Sequence, residues 1–444
     1  PRPLPYSRPS FPTRRSSVLA FLADQDLLWT RLPQDFYEAP FLGNGGIGAS
    51  VYLQSGRRVL KVEIGDSRVR DHQDTPEGGG PLFGQAQLPV GFLTLETAGD
   101  VIGCDLHLSL WDAELRGTVE TTAGILKVAA FVSATSDTLV FAVEPSEGET
   151  ETSWNFTPHT ARSTRYDFPH TGRGWPKNIK PNPEPVVFRT FDGGTCAQQL
   201  AAGGGHATSW KIIEDHGVRT LMLTVATSRQ DHEAETFAKG SLERARLQGV
   251  TRITEQHRRW WHSYYPQSFV SIPDARLQSF YWIQLYKIAC ATRADRPVVS
   301  TTGPWLEPTP WPAAWWNLNV QLSYWLVNAT NHPELDSLTT TLDKQREQLS
   351  ENLPEQYRHD SYGIGRATQN NLKADSLVGI PGLIPTGEDG VPEIGSLTWA
   401  LHNVWLGYRH SMNEDTLRDI LYPLLRRAIN YYLQDRKSVV WERV

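Results

Sequence analysis

Residues 300–325 read STTGPWLEPTPWPAAWWNLNVQLSYW, and much of the chemistry this sequence can offer is packed into them. Four prolines and five tryptophans share the stretch. Proline fixes a loop backbone, and tryptophan supplies a broad apolar face with one N–H donor. A pyranose asks for both, a flat surface for its C–H side and donors for its hydroxyls. Trp305, Trp311, Trp315 and Trp316 are therefore candidate sugar platforms. An aromatic interface between two domains explains the same composition, and both readings stand at this level. Glu307 lies among these indoles. A carboxyl in such company can be held protonated and act as an acid, or it is a solvated loop residue.

Asn317 and Asn319 stand where this loop turns into a helix. In an extended segment residues two apart point to the same side; in a helix they diverge. If the pair lies just ahead of the helix, both amides can converge on one small ligand such as a water. Helix capping accounts for one asparagine. Gln321 and Tyr324 follow at near-helical spacing and can extend the same face.

Other residues are weaker candidates. Asp66, Arg68, Asp71 and His72 crowd one loop after a strand, as site residues or as local ion pairs of little energetic value. His359-Asp360 and the acidic Glu388, Asp389 and Glu393 lie in loops expected at the same end of the molecule. Trp399 and His402 lie on one later helix, as a ligand contact or as core. No His, Cys, Asp and Glu cluster has metal-ligand spacing, and no cofactor is called for. GNGG at 43–46 lacks the Lys-Ser/Thr and helix of a phosphate loop.

The elements that position these residues fall into two kinds. From about 24 to 228 short β-branched or alternating runs (KVAAFVSA, TLVFAVEP, WKIIED, VRTLMLTVA) are separated by glycine-rich turns, which predicts a large antiparallel sandwich. Near residue 231 the period becomes helical. Helices are expected over 275–295, 315–330, 334–352, 396–411 and 414–434, with chemically loaded loops between them. That pattern suggests a toroid of helix pairs, an (α/α)6 barrel, of which these helices make at most half. The expected organisation is a β-sandwich over 20–230, a helical linker over 231–270 and the first part of the barrel over 271–434. The ends, 1–19 and 435–444, carry FPTRRSSVL and DRKSVVWERV, which resemble translated adapter sequence, and are expected to be foreign or disordered tails.

Composition narrows the function. The chain has 444 residues, a net charge of -6 and 16 Trp against 2 Met. The acidic balance argues against nucleic acid as a partner. No stretch is long and apolar enough for a membrane-spanning helix. The three cysteines are far apart and do not settle the redox compartment.

Four blocks resemble glycoside hydrolase family 95, the inverting α-L-fucosidases and α-L-galactosidases. APFLGNGGIGASVYL is similar to that family's P-x-G-N-G-x-[IL]-G-A, and NLNVQLSYW to N-x-N-x-Q-x-N-Y-W with Ser323 for the last Asn. VNATNHPEL and the stretch SLTWALHNVWLGYRHS…YPLLRRAINYYL are similar to the helices that follow. The resemblance implies a six-hairpin glycosidase fold, an oligosaccharide or polysaccharide substrate, and a water held by Asn317 and Asn319. It implies an acid in a Ser-Pro-Glu stretch beyond the last helix, which this chain lacks, so the chain itself is expected to be inactive. It implies secretion or export to the periplasm of a bacterium. Trp405-Leu406-Gly407-Tyr408 replaces the family's W-E-H-Y, so the sugar is open. A phosphorylase of the same architecture, or a carbohydrate-binding protein without catalysis, are the alternatives.

Overall fold

The protein was analysed as a computed structural model, which describes residues 15–54, 56–74, 80–168, 178–374 and 395–441. A first helix, α1 (Arg15–Ala23), precedes fourteen strands of the N-terminal region. These are β1 (Leu27–Trp29), β2 (Phe41–Gly43), β3 (Ile47–Leu53), β4 (Val59–Asp66), β5 (Gly91–Glu96), β6 (Val101–Ser109), β7 (Glu114–Thr121), β8 (Ile125–Val132), β9 (Leu139–Pro145), β10 (Ser153–Pro158), β11 (Val186–Thr190), β12 (Gly193–Gln199), β13 (Gly205–Asp215) and β14 (Val218–Ser228). They form a nine-stranded sheet, β1-β6-β7-β8-β9-β14-β13-β12-β11, and a five-stranded sheet, β10-β5-β4-β3-β2. The runs read from the sequence as strands are β8, β9, β13 and β14, and the sandwich is antiparallel as expected. Alternation does the work: Val62 and Ile64 of β4, and Val119 of β7, turn into the space between the sheets while Lys61 and Glu63 turn away.

The helices expected as a linker are packed on the sandwich. α2 (Glu233–Gln248) lays Ala234 and Ala238 on Ala207, and the Thr224 hydroxyl donates to the Ala238 carbonyl at 2.9 Å. α3 (Val250–Tyr264) buries Ile253, His257, Trp261 and Tyr264, a single helical stripe. Glu114 of β7 accepts from Arg258, and Asp112 faces His262 at 2.8 Å, so charged pairs as well as apolar contacts fix α3 to the sheet.

The helical region follows with α4 (Ala275–Ala291), α5 (Asn319–Ala329), α6 (Ser337–Lys344), α7 (Arg346–Glu351), α8 (Gly395–Ser411) and α9 (Tyr422–Trp441). Gln321 of α5 reaches Ser396 of α8, and Asn328 reaches Asn403. The contacts advance together along both helices, so α5 and α8 run the same way. α9 returns antiparallel to α8, with Thr398 meeting Tyr432 at 3.2 Å. Parallel inner helices joined through antiparallel partners are the repeating unit of a helix-pair toroid.

α1 begins at Arg15, and its Val18 and Leu22 are buried in the main core. At the other end of the described residues, α9 runs to Trp441.

Two devices bind the sandwich to the helices. Asn44 of the GNGG turn accepts from the Gly46 and Ile47 amides and donates to the Ser133 carbonyl, while the Gly45 amide donates to Cys290 of α4 at 2.7 Å. This motif is a joint, in keeping with its unfitness for phosphate. The second device is a row of glycines. Gly43 pairs with Gly48, and Gly48 with Gly65, across β2, β3 and β4. A Cβ on Gly48 would sit 2.8 Å from the Trp305 ring, and one on Gly65 would sit 1.9 Å from the Pro304 carbonyl oxygen. The bare row is the bed on which residues 303–306 lie.

Candidate active site at the start of helix α5

The loop 300–318 is pinned before α5 begins. Ala314 and Trp315 form a short strand, β15, paired with β16 (Ala367–Thr368). The Trp316 amide donates to the Arg366 carbonyl at 2.6 Å, and its indole N–H donates to the Thr368 hydroxyl at 2.8 Å. This places Asn317 half-buried in the turn and Asn319 exposed as the first residue of α5. Only Leu318, at φ 158°, separates the two asparagines, and Asn319 is the first residue of the helix, so the pair does not lie wholly ahead of it. Ser323 spends its hydroxyl on the Asn319 carbonyl at 2.8 Å, so it adds nothing to the site.

Three predicted site residues are core instead. Trp316, Gln321 and Tyr324 are all within 1 % of complete burial. The Gln321 amide donates to the Trp316 and Ser396 carbonyls, clamping the beginning of α5 to that of α8. The Tyr324 hydroxyl accepts from the Val299 amide at 3.1 Å and joins Ser337 and Thr292 in one network. None has a face left for a sugar. Helical spacing alone could not reveal this, because it gives the faces of α5 and not which of them meets α8 and α4.

Trp305 is likewise an anchor. It is 7 % exposed, lies on the glycine row and donates its indole N–H to the Leu42 carbonyl at 2.8 Å. For this residue the domain-interface reading holds. Trp311 is different: it is 41 % exposed and leans on Trp315 at 5.7 Å and 43°, with Trp315 almost covered. Of the four tryptophans it alone offers an open face. Glu307 is half-buried, and burial, then the nearby Glu63, raises its pKa. Its charged neighbours, Glu63, Lys61 and Asp35, belong to the sandwich. It therefore sits over the sheet and is not brought to Asn317.

The loop 66–74 does reach this end of the helical region. Asn370 donates to the Ser67 carbonyl at 3.1 Å, and Lys373 pairs with Asp74 at 2.6 Å. Asp71 is buried, and its carboxylate is occupied by the Gln73 and Asn182 amides and the His72 N–H. His72 is half-buried, and burial together with Arg229 lowers its pKa, so it is neutral near pH 7. Asp66 and Arg68 are a structural lock. Arg68 binds Asp66 and Asp137, and Asp137 also binds Arg296, so a charged chain runs from β4 to the loop after α4.

On α8, Trp399 is half-buried and His402 is exposed, stacked on Trp405 at 5.5 Å, with the Arg409 guanidinium over the same Trp405 ring at 5.1 Å. His402 is thus not a core histidine. His359 and Asp360 lie at a bend held to α9, whose Asn430 donates to the Asp360 carbonyl at 3.0 Å. Glu388, Asp389 and Glu393 fall outside the described residues.

Three polar residues at the same junction were not singled out by the sequence. Arg70 is buried with its Nε and Nη1 facing no acceptor among the described residues, and Thr302 Oγ1 and Asn370 Oδ1 are buried without a partner as well. No spacing marks them; burial does. Among the described residues no group of His, Cys, Asp and Glu is placed to hold a metal, and no helix is long and apolar enough to cross a membrane.

Comparison with known proteins bears on this arrangement. Residues 273–438 match the family model described as the glycosyl hydrolase family 95 catalytic domain. The helical region is thus similar in sequence to that catalytic domain, as the motif resemblance implied. No curated protein matches the chain in sequence. Among solved structures, a protein from the human microbiome described as a kojibiose phosphorylase is similar over 92% of this chain and 55% of its own, at 10% identity and a TM-score of 0.56. This chain spans little more than half the length of that neighbour, and at such identity the likeness speaks to the fold alone. A bacterial glucoamylase complexed with acarbose aligns over 91% of this chain and 70% of its own, at 9% identity. Its TM-score of 0.39 carries no weight. The architecture is a β-sandwich followed by a helical domain of the six-hairpin glycosidase type, and the chain resembles a glycosidase.

Proposed function

We propose that the chain acts on glycosidic bonds at the start of α5, with Asn317 and Asn319 holding the attacking water. The observation that carries this reading is the placement of both asparagines around the first residue of α5, inside a segment that matches a glycosidase catalytic domain. Two amides can orient a water by accepting its protons on their oxygens. Attack on the face opposite the leaving group inverts the anomeric centre and needs an acid for the departing oxygen. The resemblance puts that acid in a Ser-Pro-Glu stretch that these residues do not contain. Activated glycosides test the water-positioning role apart from that acid. A glycosyl fluoride or a dinitrophenyl glycoside carries a leaving group that departs without a proton, so it dispenses with the acid; the proton that the attacking water loses passes to solvent or to a carboxylate behind the two amides.

Trp311 is the proposed stacking platform, with His402 and Trp399 on α8 as further contacts. His72 is a rim residue of the same proposal, and Asp71 supports it from within its loop. The substrate is an oligosaccharide or polysaccharide. An α-L-fucosyl or α-L-galactosyl unit is the first to test, since those are the sugars of the resembling family. Changing both Asn317 and Asn319 to Gly should abolish hydrolysis of activated glycosides; an unchanged rate would overturn the assignment. A second reading, carbohydrate binding without turnover, is favoured by Leu406-Gly407 standing where the family has a carboxylate and an imidazole. Saturable glycan binding with no release of sugar from activated glycosides would select it.

A further inference from the structure

Loop 66–74, the turn at 300–303 and the segment 366–374 come from three distant parts of the chain and meet beside the start of α5. Arg70 and Gln87 are partners in an isolated antiparallel bridge. Bridge partners project their side chains to one face. The Gln87 side chain points into the 300–303 turn: its amide donates to the Gly303 carbonyl at 3.1 Å, and its oxygen accepts from the Ser300 hydroxyl at 2.8 Å. Arg70 therefore leaves its strand toward the same turn. It is 8 % exposed, and neither Nε nor Nη1 meets an acceptor among the described residues. Its neighbour Asp71 is no counter-ion, since that carboxylate is spent on Gln73, Asn182 and the His72 amide.

A guanidinium with unused donors is expensive to bury. Such a group points to an anion that arrives from outside. Two unfilled oxygens lie at the same junction. Thr302, whose Oγ1 is buried without a partner, precedes the Gly303 whose carbonyl Gln87 holds, and Asn370 Oδ1 belongs to the amide whose nitrogen donates to Ser67, three residues before Arg70. A cation with free donors and two free acceptors, on segments that Gln87 and Ser67 tie together, suit a ring that carries both a carboxylate and hydroxyls. A charged donor favours a carboxylate over a neutral acceptor, and a carboxylate oxygen can take the Nε–H or an Nη1–H.

We infer that Arg70, Thr302 and Asn370 form a subsite for a uronosyl unit, so that the glycan taken by this chain is an acidic one. The inference rests on the carbohydrate reading of the site. It concerns a unit that either reacts or lies next to the one that does. The departure of Trp405-Leu406-Gly407-Tyr408 from the resembling family's pattern is in keeping with a different glycan.

The test is calorimetric titration of the 444-residue chain and of Arg70→Gln with four methyl glycosides: the glucuronide, the galacturonide, and the neutral glucoside and galactoside. Inorganic sulfate is the fifth probe. The expected result is that at least one uronide binds about 10- to 100-fold tighter than its neutral counterpart, the range of a charge-assisted pair, and that Arg70→Gln removes that margin. The thermal midpoint of Arg70→Gln should stay level or rise, because an unpaired buried cation has gone; a clear fall would mean that Arg70 is a structural group, against the inference. Equal binding of uronides and neutral sugars would sink the acidic subsite while leaving the carbohydrate reading in place. Binding of no sugar at all would sink both. Sulfate binding as tight as a uronide, lost in Arg70→Gln, would show a bare anion site and refute the sugar assignment.

Discussion

Acidification should weaken this fold through one histidine in particular. His257 of α3 is 1 % exposed and hydrogen-bonded on both ring nitrogens. Its Nδ1 accepts from the Ala134 amide at 3.1 Å, and its Nε2 donates to the Asp112 carbonyl at 2.9 Å. That fixes the neutral tautomer with the proton on Nε2. A second proton would have to enter on Nδ1, directly against the Ala134 N–H. Burial above all pushes the pKa from 6.5 to about 4. A base whose folded pKa is depressed contributes stability that is present above its unfolded pKa and is lost as pH falls toward the folded one. The window here is pH 6.5 to 4. Between roughly pH 7 and 4.5 the loss is about 2.4 kcal/mol, from about 1.4 kcal/mol per pKa unit and the partial protonation at each end. His206 of β13, buried and lowered to about 4, adds a similar slope. The assay is a series of urea midpoints from pH 7 to 4.5 on the parent chain and on His257→Gln. The parent should lose about 2 kcal/mol more than the variant. Parallel curves would refute the reasoning, because they would mean that His257 already carries its second proton in the fold or never resists it.

Other outcomes follow from the same structure. Trp305→Ala should cost about 4 kcal/mol, from an indole of about 150–250 Å² removed from water plus the lost hydrogen bond to Leu42. Trp311→Ala should leave the urea midpoint within about 0.5 kcal/mol and weaken glycan binding at least about tenfold. The two tryptophans thus separate under paired denaturation and binding assays, and the reverse pattern would exchange their roles. Gly65→Ala should destabilise the sandwich–helix joint by more than about 2 kcal/mol, since the new Cβ would meet the Pro304 carbonyl oxygen at 1.9 Å, and limited proteolysis should then cleave within 292–318 first. Glu114→Gln, which takes the carboxylate from both Arg116 and Arg258, should cost about 2–3 kcal/mol in urea denaturation.

The change of hydrophobic period near residue 230 located the end of the sandwich, because strands and helices bury every second or every third to fourth residue and the two patterns rarely mimic each other. β14 ends at Ser228 and α2 begins at Glu233. The same periodicity could not say that α2 and α3 lie on the sheet, since an amphipathic helix carries no label for what it packs against. In the loop 300–318, composition announced tryptophans for either a sugar or an interface. The choice was made residue by residue by distant partners: Gly43 and Gly48 on two strands leave room for Trp305 against the sheet, Thr368 takes the Trp316 indole N–H, and Trp311 stays 41 % exposed. Gln321 and Tyr324 looked like an extension of the Asn317 face until α8 and α6 arrived to bury them. Arg70 carried no signal at all, because a buried charge without a partner is defined by what the fold fails to put beside it.

The central claim is that Asn317 and Asn319 hold the nucleophilic water. Its most direct test is hydrolysis of α-L-fucosyl and α-L-galactosyl fluorides, with matching uronosyl fluorides, by the 444-residue chain, with the anomer first released read by proton NMR. The account predicts fluoride release with inversion from at least one of these sugars, abolished when both asparagines are Gly, without any need for phosphate. Release with retention, or an unchanged rate in the double variant, would contradict it.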